Sequence, residues 1–202
     1  MFDTGGAGQS LLSHMETLGK DSEQIDTVFL SHIHGDHTEG LWELSAHKQD
    51  LEVYIPQSFP IRFGEAAARH GCRVVRISSP REISPGVFST GEMGIWTKEQ
   101  SLILDGDRGA IVLTGCAHPG IIGIIKRAKA LIAGGIHLVM GGYHLFSTHE
   151  WEIIEIIEAF KENGVEWVCP CHCTGDSAMS IFRKSYGQKY VEGGVGRVIG
   201  VL

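Results

Sequence analysis

No apolar run in this 202-residue chain reaches the roughly 18 residues that cross a bilayer, and no signal peptide opens it, so cytoplasm is the expected compartment. Positive charge is scarce as well. Against 24 Asp and Glu stand 17 Lys and Arg, a formal net charge of -7, which removes the basic face that non-specific nucleic-acid binding requires. A phosphate group can still bind such a chain where a metal supplies the positive charge locally. Five cysteines is an odd count without a secretory signal, so no disulfide framework is read and the thiols are expected to be reduced, some near a metal. The glycine-rich opening "MFDTGGAG" lacks both a Walker lysine and G-x-G-x-x-G spacing, so it is not a nucleotide loop. Repeats, low-complexity tracts and linkers are also missing. The length suits one hydrophobic core, and a single domain over residues 1–202 is expected.

What the chain does have is strand-length apolar runs alternating with helical patterns. Thr27 to Ser31, Glu52 to Ile55, Arg73 to Ile77, Ser101 to Leu104, Ala110 to Gly115, Ile136 to Gly142 and Glu166 to Pro170 read as strands by β-branched content. "PGIIGIIKRAKALIAGG" opens on a proline suited to a first helical turn and closes on glycines. In "HEWEIIEIIEAFKENG", Trp151, Ile154, Ile157 and Phe160 recur at three-residue steps, widened by Ile153 and Ile156, and read as a core stripe ending at Gly164. "DSAMSIFRKSYG" gives a last helix and "GGVGRVIGVL" a closing strand. The alternation predicts layered α/β architecture with a mixed sheet. Only Met1 and Phe2 precede Asp3 where a strand runs into the opening glycine turn, so the N-terminal strands are expected to be truncated.

Chemistry concentrates in "SHIHGDH", directly after the apolar "TVFL". His-x-His on extended backbone lets two imidazoles converge on one ion, because alternate side chains point the same way. Asp36 and His37 follow and turn toward a neighbouring position. Crowded imidazoles repel one another once protonated; two adjacent divalent cations answer that by taking their lone pairs. The plainer alternatives are a polar loop rich in histidine by chance, or a helix N-terminus that Asp36 merely caps.

The H-x-H-x-D-H pattern of His32, His34, Asp36 and His37 resembles the metallo-β-lactamase superfamily, and "FDTG" at Phe2 to Gly5 is similar to its upstream aspartate motif. The blocks "TGCAHPGI", "GGYHL" and "PCHCTG" resemble one branch of it, metal-dependent hydrolases that include a dihydropterin ribofuranosylaminobenzene phosphate synthase. The resemblance implies an αββα sandwich with mixed sheets and two divalent metal ions (Zn, Mn, Fe or Mg) at one edge. His32 and His34 would hold one ion, and Asp36 and His37 the other. It implies His118 and His172 as further ligands, Cys116 as a thiolate ligand where the superfamily has an aspartate, and Asp3 behind the ligands. The superfamily's "GHTxG" histidine is absent; Glu99 stands in that region, either hydrogen-bonded to a ligand from behind or, as the simpler reading, facing solvent. Asp36 and His144 are the candidates for direct catalytic roles. The implied partner is a phosphorylated or pyrophosphorylated small molecule, with no nucleic acid and no membrane. The implied reaction is C–N condensation with pyrophosphate release. A hydrolase of a phosphoester or lactone, and a non-catalytic metal-binding module, are the alternatives. An unpaired sheet edge at the short start would favour a homo-oligomer.

Each residue also has a bland role open to it. His118 could cap the following helix, His172 could serve structurally beside three thiols, His144 could be a buried histidine bonded to backbone, and Cys116 could be a small core residue. Cys169, Cys171 and Cys173 lack the C-x2-C spacing of a separate zinc or iron–sulfur site. His14, His47, His70, His137 and His149 are scattered and read as surface or helix-end residues.

Overall fold

The computed structural model describes residues 1–200. Its layers follow from side-chain parity. The first sheet is parallel, with β1 (Thr27–Phe29), β2 (Glu52–Pro56) and β3 (Arg73–Ile77) in that order. Val28, Val53 and Ile55 point to one face and Phe29 and Tyr54 to the other, as the two-residue repeat of a strand requires. The first face is covered by α1 (Gly8–Thr17), α3 (Gly40–His47) and α4 (Ile61–Arg69), through Leu12, Leu44 and Ala67.

The second face meets the other sheet, where Phe29, Tyr54 and Ile77 pack with Ile83 and Leu102. That sheet runs β4 (Arg81–Ser84), β5 (Val87–Ser89), β6 (Leu102–Leu104), β7 (Ala110–Thr114), β8 (Ile136–Gly142) and β9 (Trp167–Cys171). It is antiparallel from β4 to β7 and parallel from β7 to β9, hence mixed. Its outer face carries α5 (Ile121–Lys129), α6 (Glu150–Glu162) and α7 (Asp176–Tyr186) over a core that includes Val112, Val139, Phe160 and Phe182. Burying each such side chain contributes about 1.5–3 kcal/mol. The result is the expected αββα sandwich.

Several expectations are corrected. In α6 the buried residues are Ile153, Ile157 and Phe160, whereas Trp151 is 60% and Ile154 44% exposed. The stripe follows the i, i+4, i+7 row, so three-residue steps from Trp151 drift off it. Among the described residues, 193–200 contain no strand, and 201–202 lie outside them. Gly193, Gly194 and Gly196 make an extended ladder entropically costly there. At the start, Phe2 forms a parallel bridge to Phe29 and the Met1 ammonium donates to the Thr27 carbonyl at 2.7 Å, so residues 1–3 line the edge of the first sheet.

Candidate metal centre

The site forms where β1 gives out. Beyond Phe29 the chain runs through Leu30 and Ser31 into the His-x-His segment, then into α2 (Gly35–Thr38), which carries Asp36 and His37. The turn after β7 supplies Cys116 and His118, the loop after β8 supplies His144, and the short turn after β9 supplies His172. Residues far apart in sequence thus meet at one end of the sandwich.

Potential ligand atoms of His32, His34 and His118 lie within 4.8 Å of one another, and so do those of Asp36, His37 and His172. Cys116 joins His32 and His37 within the same limit, and also groups with His144 and Cys173. His32 Nε2 is 3.1 Å from His34 Nδ1, and His37 Nε2 is 3.2 Å from His172 Nε2. Asp36 Oδ2 lies 3.4 Å from both His37 Nε2 and His172 Nε2. Cys116 Sγ is 3.4 Å from His37 Nε2.

Behind these atoms, hydrogen bonds fix the rings. Asp3 accepts from the Ser31 N–H at 2.7 Å and from the Ser31 hydroxyl at 2.7 Å, and its Oδ2 faces His37 Nδ1 at 2.7 Å. Because the Ser31 hydroxyl donates to Asp3, it accepts from His32 Nδ1 at 2.9 Å. Glu99 does the same for His118, with Nδ1 at 2.8 Å. The same carboxylate accepts four backbone N–H groups, from Gly115, Cys116, Ala117 and His118, at 2.9–3.2 Å. Glu99 is 1% exposed, so the solvent-facing reading is overturned.

With Nδ1 occupied on His32, His37 and His118, each ring turns Nε2 toward the cluster. Nitrogen lone pairs packed this closely repel one another unless a cation sits between them or one ring is protonated. Burial disfavours protonation of His32, holding it to about 3 against the pull of Glu99. Burial also lowers His34, with the neighbouring His118 adding to it. For His37 burial acts downward too, but the bond to Asp3 and its charge outweigh it and make that imidazole more basic. A carboxylate behind a ring nitrogen strengthens its partner nitrogen as a ligand. Glu99 itself is held to about 2: burial opposes its charge, but His118, His32 and the turn's N–H groups prevail. These donors fit divalent cations in both number and chemistry.

The remaining candidates resolve variously. Helix α5 has Gly120 as its N-cap, so His118 does not cap it. His144 is exposed, with a left-handed backbone at φ 57, and its ring packs 4.7 Å from that of His118 and 5.4 Å from Phe146. It is not a buried core histidine. Asp3, Ala117 and His172 share the left-handed conformation, at φ 49, 59 and 51. Of the three clustered cysteines, only Cys173 joins a potential ligand group among the described residues, while Cys169 packs with Ile111, Leu138 and Val191. Its contact with Cys116 lowers the Cys173 thiol and raises that of Cys116. Sequence reasoning left out both Cys173 and Ser31; each stands beside a histidine it named. His137, expected at the surface, lies buried in β8 with Nδ1 3.0 Å from Glu166 Oε2.

This geometry agrees with comparisons to known proteins. The sequence model of the metallo-beta-lactamase superfamily matches residues 1–134. A 7,8-dihydropterin-6-methyl-4-(beta-D-ribofuranosyl)-aminobenzene-5'-phosphate synthase from Methanocaldococcus jannaschii is 26% identical, the alignment covering 98% of this chain and 83% of that protein. The crystal structure of Tm1679, described as a metal-dependent hydrolase of the beta-lactamase superfamily, superposes with a TM-score of 0.83 at 26% identity, over 99% of this chain and 88% of the other. The metallo-beta-lactamase fold protein YhfI from Bacillus subtilis shares the fold, with a TM-score of 0.67 at 15% identity over 97% and 84% of the two chains. Motif, layer order and relatives agree: this chain belongs to the metallo-β-lactamase superfamily.

Proposed function

We propose that the chain is a dinuclear metal-dependent enzyme acting on a phosphorylated or pyrophosphorylated small molecule, with C–N condensation and pyrophosphate release as its reaction. The observation that carries this is the convergence of five imidazoles and Asp36 from separated segments, with three rings anchored through Nδ1. His32, His34 and His118 would hold one cation, and Asp36, His37 and His172 the other, with Cys116 within reach of the second group. Bound there, Zn, Mn, Fe or Mg would offset negative charge on a departing phosphate group. The protein's own share is positioning. Asp3 and Glu99 hold the rings, N–H groups at the start of α5 would offer donors to anionic oxygens, and exposed His144 would move a proton at the reacting atoms. Support for the condensation comes from the synthase relative, aligned over nearly the whole chain. Five free cysteines suit a cytoplasmic setting.

A hydrolase is the second reading, favoured by the likeness to Tm1679. Metal-loaded protein given a dihydropterin pyrophosphate, with and without the arylamine ribose phosphate, separates the two. Pyrophosphate release that needs the amine supports condensation; release without it, or cleavage of generic phosphodiesters, supports hydrolysis. Asp36→Ala should lower metal content and activity together, and full activity without that carboxylate would count heavily against the assignment. His172→Ala should weaken one ion selectively, which metal analysis after dialysis reads directly; unchanged stoichiometry removes His172 from the ligands.

A further inference from the structure

Beside the cation cluster, between the start of α5 and the connection from β8 to α6, lies a cleft of about 250 Å³. His118 and His144 form the wall it shares with the cluster, and the other walls include the aliphatic side chains of Ile121, Ile122, Leu145 and Ile156. Pockets that hold a whole drug-sized ligand measure roughly 300–1,000 Å³. This one has room for a single ring system. Its aliphatic walls offer no side-chain partner to a buried polar group, which would lose its water uncompensated. His118 and His144 on its wall belong to a longer aromatic array: the rings of His34, His118, His144 and Phe146 follow one another at centroid distances of 4.9, 4.7 and 5.4 Å, two of the three contacts edge-on. A flat ring against His144 extends that array favourably.

We infer that this cleft binds the planar aromatic portion of a substrate whose phosphate end lies at the cation cluster. The inference rests on the phosphorylated-substrate reading above and adds which part of the substrate sets specificity, and where. Ile122 on α5 and Ile156 on α6 line the cleft from its two sides and are only partly buried, so a larger side chain at either position can fill it.

The test uses zinc-loaded protein and calorimetric titration with methylphosphonate, phenylphosphonate and naphthylmethylphosphonate. Wild type should bind the phenyl compound at least about tenfold more tightly than the methyl one, since a buried ring removes well over the area that a tenfold change requires, and the naphthyl compound at least as tightly. Ile122→Trp, filling the cleft from α5, should reduce the aryl preference to about twofold or less while metal content stays at the wild-type level. Ile156→Trp, filling the cleft from α6, should do the same. Equal affinity for methyl and phenyl compounds in wild type overturns the inference, as does a preference that both variants leave unchanged. Inorganic pyrophosphate is titrated in parallel. If it binds and the aryl preference is absent, the cleft assignment alone falls; if it fails to bind metal-loaded protein, the phosphorylated-substrate reading falls and takes the cleft with it.

Discussion

Glu99 is the side chain on which the turn from Gly115 to His118 is built, since one carboxylate satisfies four N–H groups and orients the His118 ring. Glu99→Gln keeps the size but points an amide NH2 at donors, and should destabilise the protein by about 3 kcal/mol. Urea unfolding checks this. The effect depends on pH with a definite sign. The folded value of about 2 lies below the ordinary value near 4.5, so the stabilisation is complete above pH 4.5 and is lost as pH falls toward 2. It amounts to about 3 kcal/mol for the free carboxylate. In chelated protein, the gap between wild type and Glu99→Gln should therefore narrow as pH falls from 4.5 toward 2; a constant gap would show that the charge of Glu99 is not what holds the turn. Sequence alone could not assign this role. Periodicity reports burial of apolar residues, whereas a buried carboxylate is justified only by donors that folding brings to it.

Among elements, the seam between β7 and β8 is the most constrained. An added Cβ at Gly142 would lie 2.4 Å from the Gly115 carbonyl oxygen, 2.6 Å from Cys173 Sγ and 3.2 Å from Cys116 Cα. Backbone gives way poorly, so Gly142→Ala should cost about 1–3 kcal/mol and displace the turn bearing Cys116 and His118. Its melting temperature and cation affinity should fall together. Retained affinity in a destabilised variant would separate the seam from the site. The strong elements were legible because β1, β2, β3, β7, β8 and β9 are β-branched runs, and α5, α6 and α7 have clear ends. Helices α1, α3 and α4 were not anticipated. In α4 a single residue, Ala67, is fully buried, and Pro60 stands at its start without a side-chain cap. The hairpin of β4 and β5 rests on the short "SPGV" turn, with Gly86 at φ 73, and its first strand, β4, is largely solvent-exposed.

At the scale of the whole molecule, the cluster joins the two halves of the sandwich: His32, His34, Asp36 and His37 follow the first sheet, while His118 and His172 follow strands of the second. Cations bound there should act as a cross-link that only the folded chain supports. At a free concentration 100 times Kd, each bound ion adds about 2.7 kcal/mol. For a chain of this length each ion corresponds to a melting temperature roughly 5–10 °C above that of chelated protein. Scanning calorimetry with and without chelator reads the difference, and coincident transitions would remove the cross-linking role. The backbone of the same region has an evolutionary corollary. Among the described residues, four of the five non-glycine residues in left-handed conformation, Asp3, Ala117, His144 and His172, stand around the cluster, each at an intrinsic penalty of order 1 kcal/mol or more. Selection for heat tolerance has an open route at Ala117, where glycine relieves the torsion, but at His144 and His172 the same relief deletes an imidazole. A lineage released from selection for chemistry would shed those two histidines early and grow hardier as it did so.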